Sequence, residues 1–379
     1  MSDWTNVIQA TTMHDPISGA INTPIQLSST FNQPDFDNFG HFDYARSGNP
    51  TRESGEAAVA KLEHGKHGYL FSTGMAAISS VLFTLSAGDH IVVSKHVYGG
   101  TFRLLTDILP RWGITHDMVD FSDLDAVAAA ITPATKALYI ETPSNPTLHI
   151  TDITAVVRLA KVHHLFTIAD NTFLSPFLQK PLDLGVDIVV HSATKFLAGH
   201  SDILAGAVVV NRSDLADKIY FIQNAVGATL GVLDTWLLLR GIKTLGVRMT
   251  HASRSAQKIA EYLAAHSKVT RVLYPGLVNH EGYAIQMKQA NSGGAVLSFD
   301  VGSEAHARTV VEALKIPVFS VSLGAVETII SYPPKMSHAE LNAQALANVG
   351  ISPGLLRFSV GLEDTDDLIV DLEQALAQI

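Results

Sequence analysis

Short apolar runs recur along the first two thirds of the chain, at residues 69–71, 91–93, 137–140, 166–169, 187–190 and 207–210. Each is too short for an ordinary helix and too apolar to leave a face in water, so buried strands are predicted. Between several of them the apolar residues fall three and four apart, which predicts helices over 75–86, 124–131 and 153–163. Strand–helix alternation with strands apolar on both faces implies an α/β fold, a mostly parallel sheet covered by helices. In such sheets the ligand sits beyond the carboxyl ends of the strands. The residues that follow each strand are therefore the candidates for chemistry.

The ends of the chain read differently. Up to about Pro50 the sequence is rich in Asn, Gln, Ser, Thr, Pro and Phe and has no sustained helical period. Phe31, Phe36, Phe39 and Phe42 need burial, so an ordered arm lying over something else is predicted. Asn49 and Pro50 then read as a cap and first-turn proline for a helix over 51–62 that stops at Gly65. Beyond Leu245 an amphipathic helix over 250–265 and strands at 295–299, 329–330 and 355–360 predict a smaller α+β domain, closed by a helix over 366–377. The expected division is an arm at 1–50, a large domain at 51–245 and a C-terminal domain at 246–379.

Composition narrows the class. Of 379 residues, 47% are hydrophobic and 16% charged, which fits well-buried cores and excludes a disordered chain. The formal net charge of −10 repels phosphate backbones, so neither nucleic acid nor an anionic membrane is an expected partner. The absence of cysteine removes disulfides, thiolate nucleophiles and Cys-type zinc sites. A polar N-terminus without an apolar core segment, and no apolar run of about 18 residues, lead us to expect a cytoplasmic protein. His163-His164 and His191…His200 lack a ligand pattern such as HExxH, so no metal is expected. No G-x-S-x-G elbow suggests a hydrolase.

Three strand ends carry candidate chemistry. After Phe71, Ser72-Thr73-Gly74-Met75 opens a helix whose free N–H groups and dipole suit an anion, although an ordinary capped turn reads the same way. After Ala169, Asp170 is a cofactor anchor or a helix cap. After Val190 comes His191-Ser192-Ala193-Thr194-Lys195, where Lys195 is either a surface lysine or a buried amine whose depressed pKa makes it a nucleophile. In a parallel sheet all three share one edge. Together, a phosphate cradle, a carboxylate and an amine flanked by the Ser192 and Thr194 hydroxyls are the parts that pyridoxal 5′-phosphate (PLP) needs. The lysine takes the aldehyde as a Schiff base, and the carboxylate keeps the pyridine nitrogen protonated.

From His14-Asp15-Pro16-Ile17-Ser18-Gly19-Ala20-Ile21 to Leu356-Arg357-Phe358-Ser359-Val360-Gly361-Leu362-Glu363, and most densely over 187–206, the chain resembles the Cys/Met-metabolism family of fold-type I PLP enzymes. That family includes cystathionine γ-lyase, cystathionine β-lyase, cystathionine γ-synthase and methionine γ-lyase. The resemblance implies a fold-type I, transferase-like architecture and a role for each matching residue. Lys195 would hold the cofactor and move protons, Asp170 would pair with the pyridine nitrogen, and Gly74, Met75, Ser192 and Thr194 would hold the phosphate. Tyr98 would stack on the ring and assist deprotonation. Asn145, Ser322 and Arg357 would bind the substrate α-carboxylate. Tyr44 and Arg46 would reach the phosphate in a neighbouring subunit, which implies a homo-oligomer, a tetramer built from dimers sharing active sites. Ala45 stands where the family often has Ser.

The resemblance also implies a small amino-acid substrate and a carbon–sulfur lyase of sulfur amino-acid metabolism. Gly100 stands where methionine γ-lyases typically carry a cysteine, which argues against that activity. Arg103 and Glu327 resemble the cystathionine γ-lyase pattern, and Asp43 is a shorter acid where such lyases often have Glu. These residues would bind the far end of the substrate. The expected reaction is therefore γ-elimination of cystathionine to cysteine, 2-oxobutyrate and ammonia. β-Elimination to homocysteine, pyruvate and ammonia is the alternative, followed by γ-replacement; a PLP-fold binding protein without catalysis is the alternative of a different class.

Overall fold

The computed structural model describes all residues except Met13, His14 and Pro16, so two positions of the His14–Ile21 run lie outside the described residues. Seven strands form the first sheet: β1 (His67–Phe71), β2 (His90–Ser94), β3 (Thr115–Val119), β4 (Thr135–Glu141), β5 (Phe166–Asp170), β6 (Ile188–His191) and β7 (Gly206–Val210). Their spatial order is β1-β7-β6-β5-β4-β2-β3. Pairs β2–β3, β2–β4, β4–β5 and β5–β6 are parallel, while β7 runs antiparallel to both neighbours. Every residue of β2, β6 and β7 is buried, as uninterrupted apolar runs require. Burying each Val or Ile side chain among them contributes about 1.5–3 kcal/mol before chain entropy is counted.

Two cores lie on the two faces of this sheet. One gathers Leu70, Val92, Leu138, Ala169 and Val189, and the other Phe71, Val93, Tyr139, Ile168 and Val190. Side chains alternate between faces along each strand, and helices on both sides close the layers.

A second sheet contains β8 (Arg271–Leu273), β9 (Val296–Asp300), β10 (Val318–Phe319), β11 (Ile329–Ser331) and β12 (Leu355–Ser359), in the order β10-β11-β12-β9-β8. Its core packs Leu297, Phe299, Phe358 and Leu372 under the helices Leu245–Ala265 and Thr365–Leu376. The first of these helices begins five residues before the predicted start. Asn49 caps the helix Pro50–Leu62 by accepting from the N–H groups of Thr51 and Arg52.

Two differences from the pattern-based expectation have physical causes. A helix, Asp3–Ala10, forms in the arm, capped by Ser2 and held by Val7 in the core and by Trp4 edge-on to Phe177 at 5.3 Å. Tertiary contact supplies what its periodicity lacks. The edge strand β3 reads Thr-His-Asp-Met-Val and has no apolar run, because only one of its edges is paired. Phe36 and Phe39, expected to be buried, are 94% and 73% exposed in the single chain.

Candidate active site

The carboxyl ends of β4, β5 and β6 meet the first turn of the helix Gly74–Leu82 and one face of the second sheet around a cavity of about 410 Å³. Thr73, Gly74, Met75, Tyr98, Arg103, Glu141, Asn145, Asp170, Ser192, Thr194, Lys195, Ser322 and Arg357 all line it. Most of the candidate residues named from the sequence thus converge on one space of ligand size.

Lys195 follows β6 in a turn whose backbone is held by Lys195 N–H to Ser192 O at 3.1 Å and Gly199 N–H to Lys195 O at 2.8 Å. Its ammonium donates to Ser322 Oγ at 2.5 Å. Burial, with a smaller push from Arg357, lowers its pKa to about 8. Ser322 itself has φ of 79°, a left-handed conformation uncommon for a residue with a side chain. Two positions on, Gly324 permits the close approach of this loop: a Cβ there would lie 2.8 Å from the backbone nitrogen of Phe196.

Asp170 ends β5, fully enclosed, and accepts from the N–H and hydroxyl of Thr172 at 3.0 and 2.5 Å. Burial raises its pKa against these bonds. Neither Lys nor Arg pairs with it among the described residues. Such a carboxyl group fits the protonated nitrogen of a pyridine ring, which would supply the missing cation.

Another part of the cavity wall fits a phosphate. The helix Gly74–Leu82 presents its N-terminus there, and a Cβ on Gly74 would lie 2.7 Å from Ser192 Cβ and 2.8 Å from Ser192 Oγ. Only glycine leaves that space open to an anion. Thr194 is partly engaged, since its hydroxyl donates to Ala205 O at 3.2 Å and accepts from Ala205 N–H at 2.9 Å. The donor set therefore fits PLP at three points: amine, carboxyl and anion cradle.

On the second sheet, Arg357 of β12 is buried and held from three sides. It donates to Asn145 Oδ1 at 2.8 Å, to Ser331 Oγ at 2.9 Å and to Ser322 O at 2.5 Å. Its Nε has no partner among the described residues, and burial lowers its pKa to about 10. An orphaned buried guanidinium N–H suits a carboxylate ligand.

Glu141 was missed from sequence, although it ends β4 as Asp170 ends β5, and the two stand opposite each other in register. Glu141 accepts from Tyr98 N–H at 2.8 Å and Asn145 N–H at 3.3 Å, so it fixes the backbone under two candidate ligand residues. Burial, then Asp170, drives its pKa well up. The same strand-end rule that selected Asp170 would have found it.

Arg103 lines the cavity but is paired with Glu340. Four candidates do not line the cavity of their own chain. Glu327 accepts from Ser201 Oγ at 3.5 Å, and Asp43 accepts from Tyr44 N–H at 2.5 Å in the exposed arm. Arg46 sits 5.4 Å over the Tyr44 ring and donates to Asn224 O at 2.8 Å.

A family model described as Cys/Met metabolism PLP-dependent enzyme matches residues 4–377. The chain is 52% identical over 382 residues to cystathionine beta-lyase MetC of Bacillus subtilis (strain 168), covering 100% of this chain and 97% of the relative. It is 46% identical to cystathionine gamma-lyase of the same organism, covering 96% of each. Among solved structures, a cystathionine gamma-lyase from Lactobacillus plantarum complexed with L-serine superposes with a TM-score of 0.97 at 46% identity, over 100% of this chain and 99% of that one.

Proposed function

This chain belongs to the Cys/Met metabolism family of PLP-dependent enzymes and is a PLP-dependent carbon–sulfur lyase, and we propose that it cleaves cystathionine by β-elimination. With water consumed, the products are homocysteine, pyruvate and ammonia. The observation that carries the choice of bond is that Glu327, half of the expected γ-lyase pattern, turns to Ser201 and does not line the cavity. The 52% identity to a β-lyase along the whole chain supports it.

PLP, when bound, supplies an electron sink for the charge that develops at the substrate Cα. Asp170 stabilises the positive pyridine nitrogen, and Ser192 with the N-terminus of the helix Gly74–Leu82 anchors the phosphate, assisted by Met75 and Thr194. Arg357, with Asn145 and Ser322, orients the α-carboxylate. Lys195 removes the Cα proton, and the Tyr98 hydroxyl assists in proton transfer to the departing sulfur. Arg103 receives the distal carboxylate, displacing Glu340, which is left to face the distal ammonium group.

γ-Elimination remains a second reading, because Arg103 does line the cavity and γ-lyases are among the similar proteins. Identification of the keto acid formed from cystathionine separates the two. Pyruvate supports β-elimination, and 2-oxobutyrate alone overturns it.

The same proposal includes an assembly. The arm at 1–50 covers a neighbouring subunit, carrying Tyr44, Arg46 and Asp43 to that subunit's site, in a tetramer of paired dimers. Exposed Ile17, Leu27, Phe36 and Phe39 on the arm support this, as does the absence of these three residues from the cavity of their own chain. Residues 51–245 form the cofactor domain and 246–379 the C-terminal domain, each around its own sheet. Among the described residues no helix is long and apolar enough to cross a membrane.

A further inference from the structure

We propose that His96, Asp120 and His149 form a binding site for a divalent transition metal, of which zinc is the natural probe, beside the active-site cavity. The three residues follow β2, β3 and the loop after β4, and one ligand atom from each lies within 4.8 Å of the others. A tetrahedral zinc site with bonds of about 2.0–2.2 Å separates its donor atoms by roughly 3.3–3.6 Å, so only small side-chain movements close the set.

The arrangement around His149 is that of a metal ligand. Its Nδ1 lies 3.0 Å from Glu281 Oε1, and a proton held there would leave Nε2 as the free lone pair. That Nε2 is buried, makes no hydrogen bond among the described residues and stands 3.5 Å from Asp120 Oδ1. An imidazole nitrogen kept from water without a partner is costly, and a cation in contact with it removes the cost. The His96 ring stacks on the His149 ring at 4.6 Å with an interplanar angle of 32°, bringing a second imidazole to the same point.

The protonation states agree with this geometry. Burial, then His149 and Lys95, press the His96 pKa down to about 4, so its ring is neutral and able to coordinate. Burial pushes the Asp120 carboxyl up, but bonds from Lys95 and Ser122 outweigh it and keep the group ionised. Lys95 Nζ, 2.8 Å from Asp120 Oδ2, opposes a dication, while Asp120 and Glu281 attract one. On one side of the set, His96 and Lys95 border a second cavity of about 240 Å³. Two histidines and a carboxylate suit first-row transition metals better than calcium or magnesium.

The site is joined to the catalytic machinery. His96 precedes Tyr98 by two residues, and His149 exchanges bonds with Ser144, next to Asn145, through its carbonyl at 3.1 Å and its N–H at 3.0 Å. A bound metal would clamp the loops that carry Tyr98 and Asn145. None of this depends on which carbon–sulfur bond is cleaved.

The test is calorimetric titration of zinc chloride into the holoenzyme, free of amino acids, alongside His149→Gln, His96→Gln and Lys95→Gln. One site per chain is expected, with affinity at least tenfold weaker in either histidine variant and stronger in Lys95→Gln. Anomalous diffraction from zinc-soaked crystals of the unaltered enzyme locates the ion independently of how the variants fold. Absence of saturable binding, affinity in both histidine variants equal to that of the parent, or an ion located elsewhere would overturn the proposal.

Discussion

The Lys195 ammonium lies 2.5 Å from the hydroxyl of Ser322, a residue held at φ 79° on the loop between β10 and β11 of the second sheet. This bond spans 127 residues and joins the two halves of the site. Ser322→Ala removes the hydroxyl but keeps the strained backbone. Loss of one hydrogen bond to a charged group, worth about 1.5–3 kcal/mol, predicts a fall of roughly 10- to 150-fold in kcat/KM. A steady-state measurement unchanged within twofold would remove Ser322 from the catalytic account.

The pKa of Lys195 gives a pH dependence with a definite sign. Burial and Arg357 lower it from 10.5 to about 8, so the neutral amine gains abundance as pH rises toward 8. Uptake of PLP by the apoenzyme should quicken by roughly tenfold per pH unit below about 8 and level off above it. In the apoenzyme this group also makes stability rise between about pH 8 and 10.5, where the unfolded chain holds the proton and the folded chain does not. Stopped-flow absorbance measures the uptake directly. A rate flat from pH 7 to 9 contradicts the assignment.

Gly100 is packed as well as informative. A Cβ there would meet Tyr98 Cε1 at 2.6 Å and Met75 Sδ at 2.7 Å. Gly100→Cys must therefore displace the Tyr98 ring, at a stability cost of about 1–3 kcal/mol. A loss of kcat exceeding any change in KM is expected. Activity equal to the parent would mean that the position of Tyr98 is unimportant.

Beneath the cavity, Glu63 accepts from His191 Nε2 at 2.6 Å and from Asn171 Nδ2 at 2.9 Å, all three side chains being buried. The trio ties Asn171, which follows Asp170 at the end of β5, to His191, which precedes Ser192 at the end of β6. Glu63→Ala leaves two buried donors unpaired and should cost roughly 2–5 kcal/mol. A urea denaturation midpoint unchanged from the parent would contradict this role.

Much of this was legible in advance because buried parallel strands announce themselves as apolar runs, and their carboxyl ends must carry the ligand groups. That rule singles out Lys195, Asp170 and Gly74 as candidates without knowledge of any relative, but a surface lysine, a helix cap and an ordinary capped turn read the same way, and the family resemblance is what separates them. Glu63 could not be read, since its partner His191 is 128 residues away and no local pattern joins them. The His96–Asp120–His149 cluster escaped for the same reason: its members come from three loops with unrelated spacing. Glu327 was read from a motif, and its orientation depends on where the Ser201 loop packs.

The Arg103–Glu340 pair is about half exposed on both sides and so is worth at most about 1 kcal/mol. If Glu340 competes with the distal carboxylate, Glu340→Gln changes KM for cystathionine by up to about fivefold. KM for S-methylcysteine, which lacks that carboxylate, should not move. Equal shifts for both substrates would remove Arg103 from distal recognition.

The central claim is that Lys195 is the amine that carries the cofactor in this lyase. Purified holoenzyme reduced with borohydride and digested should yield one peptide bearing a pyridoxyl phosphate group on Lys195, and Lys195→Ala should yield none while losing at least about 10²–10⁴ in rate. A label on another lysine, or no label on a protein that still cleaves cystathionine, would contradict it.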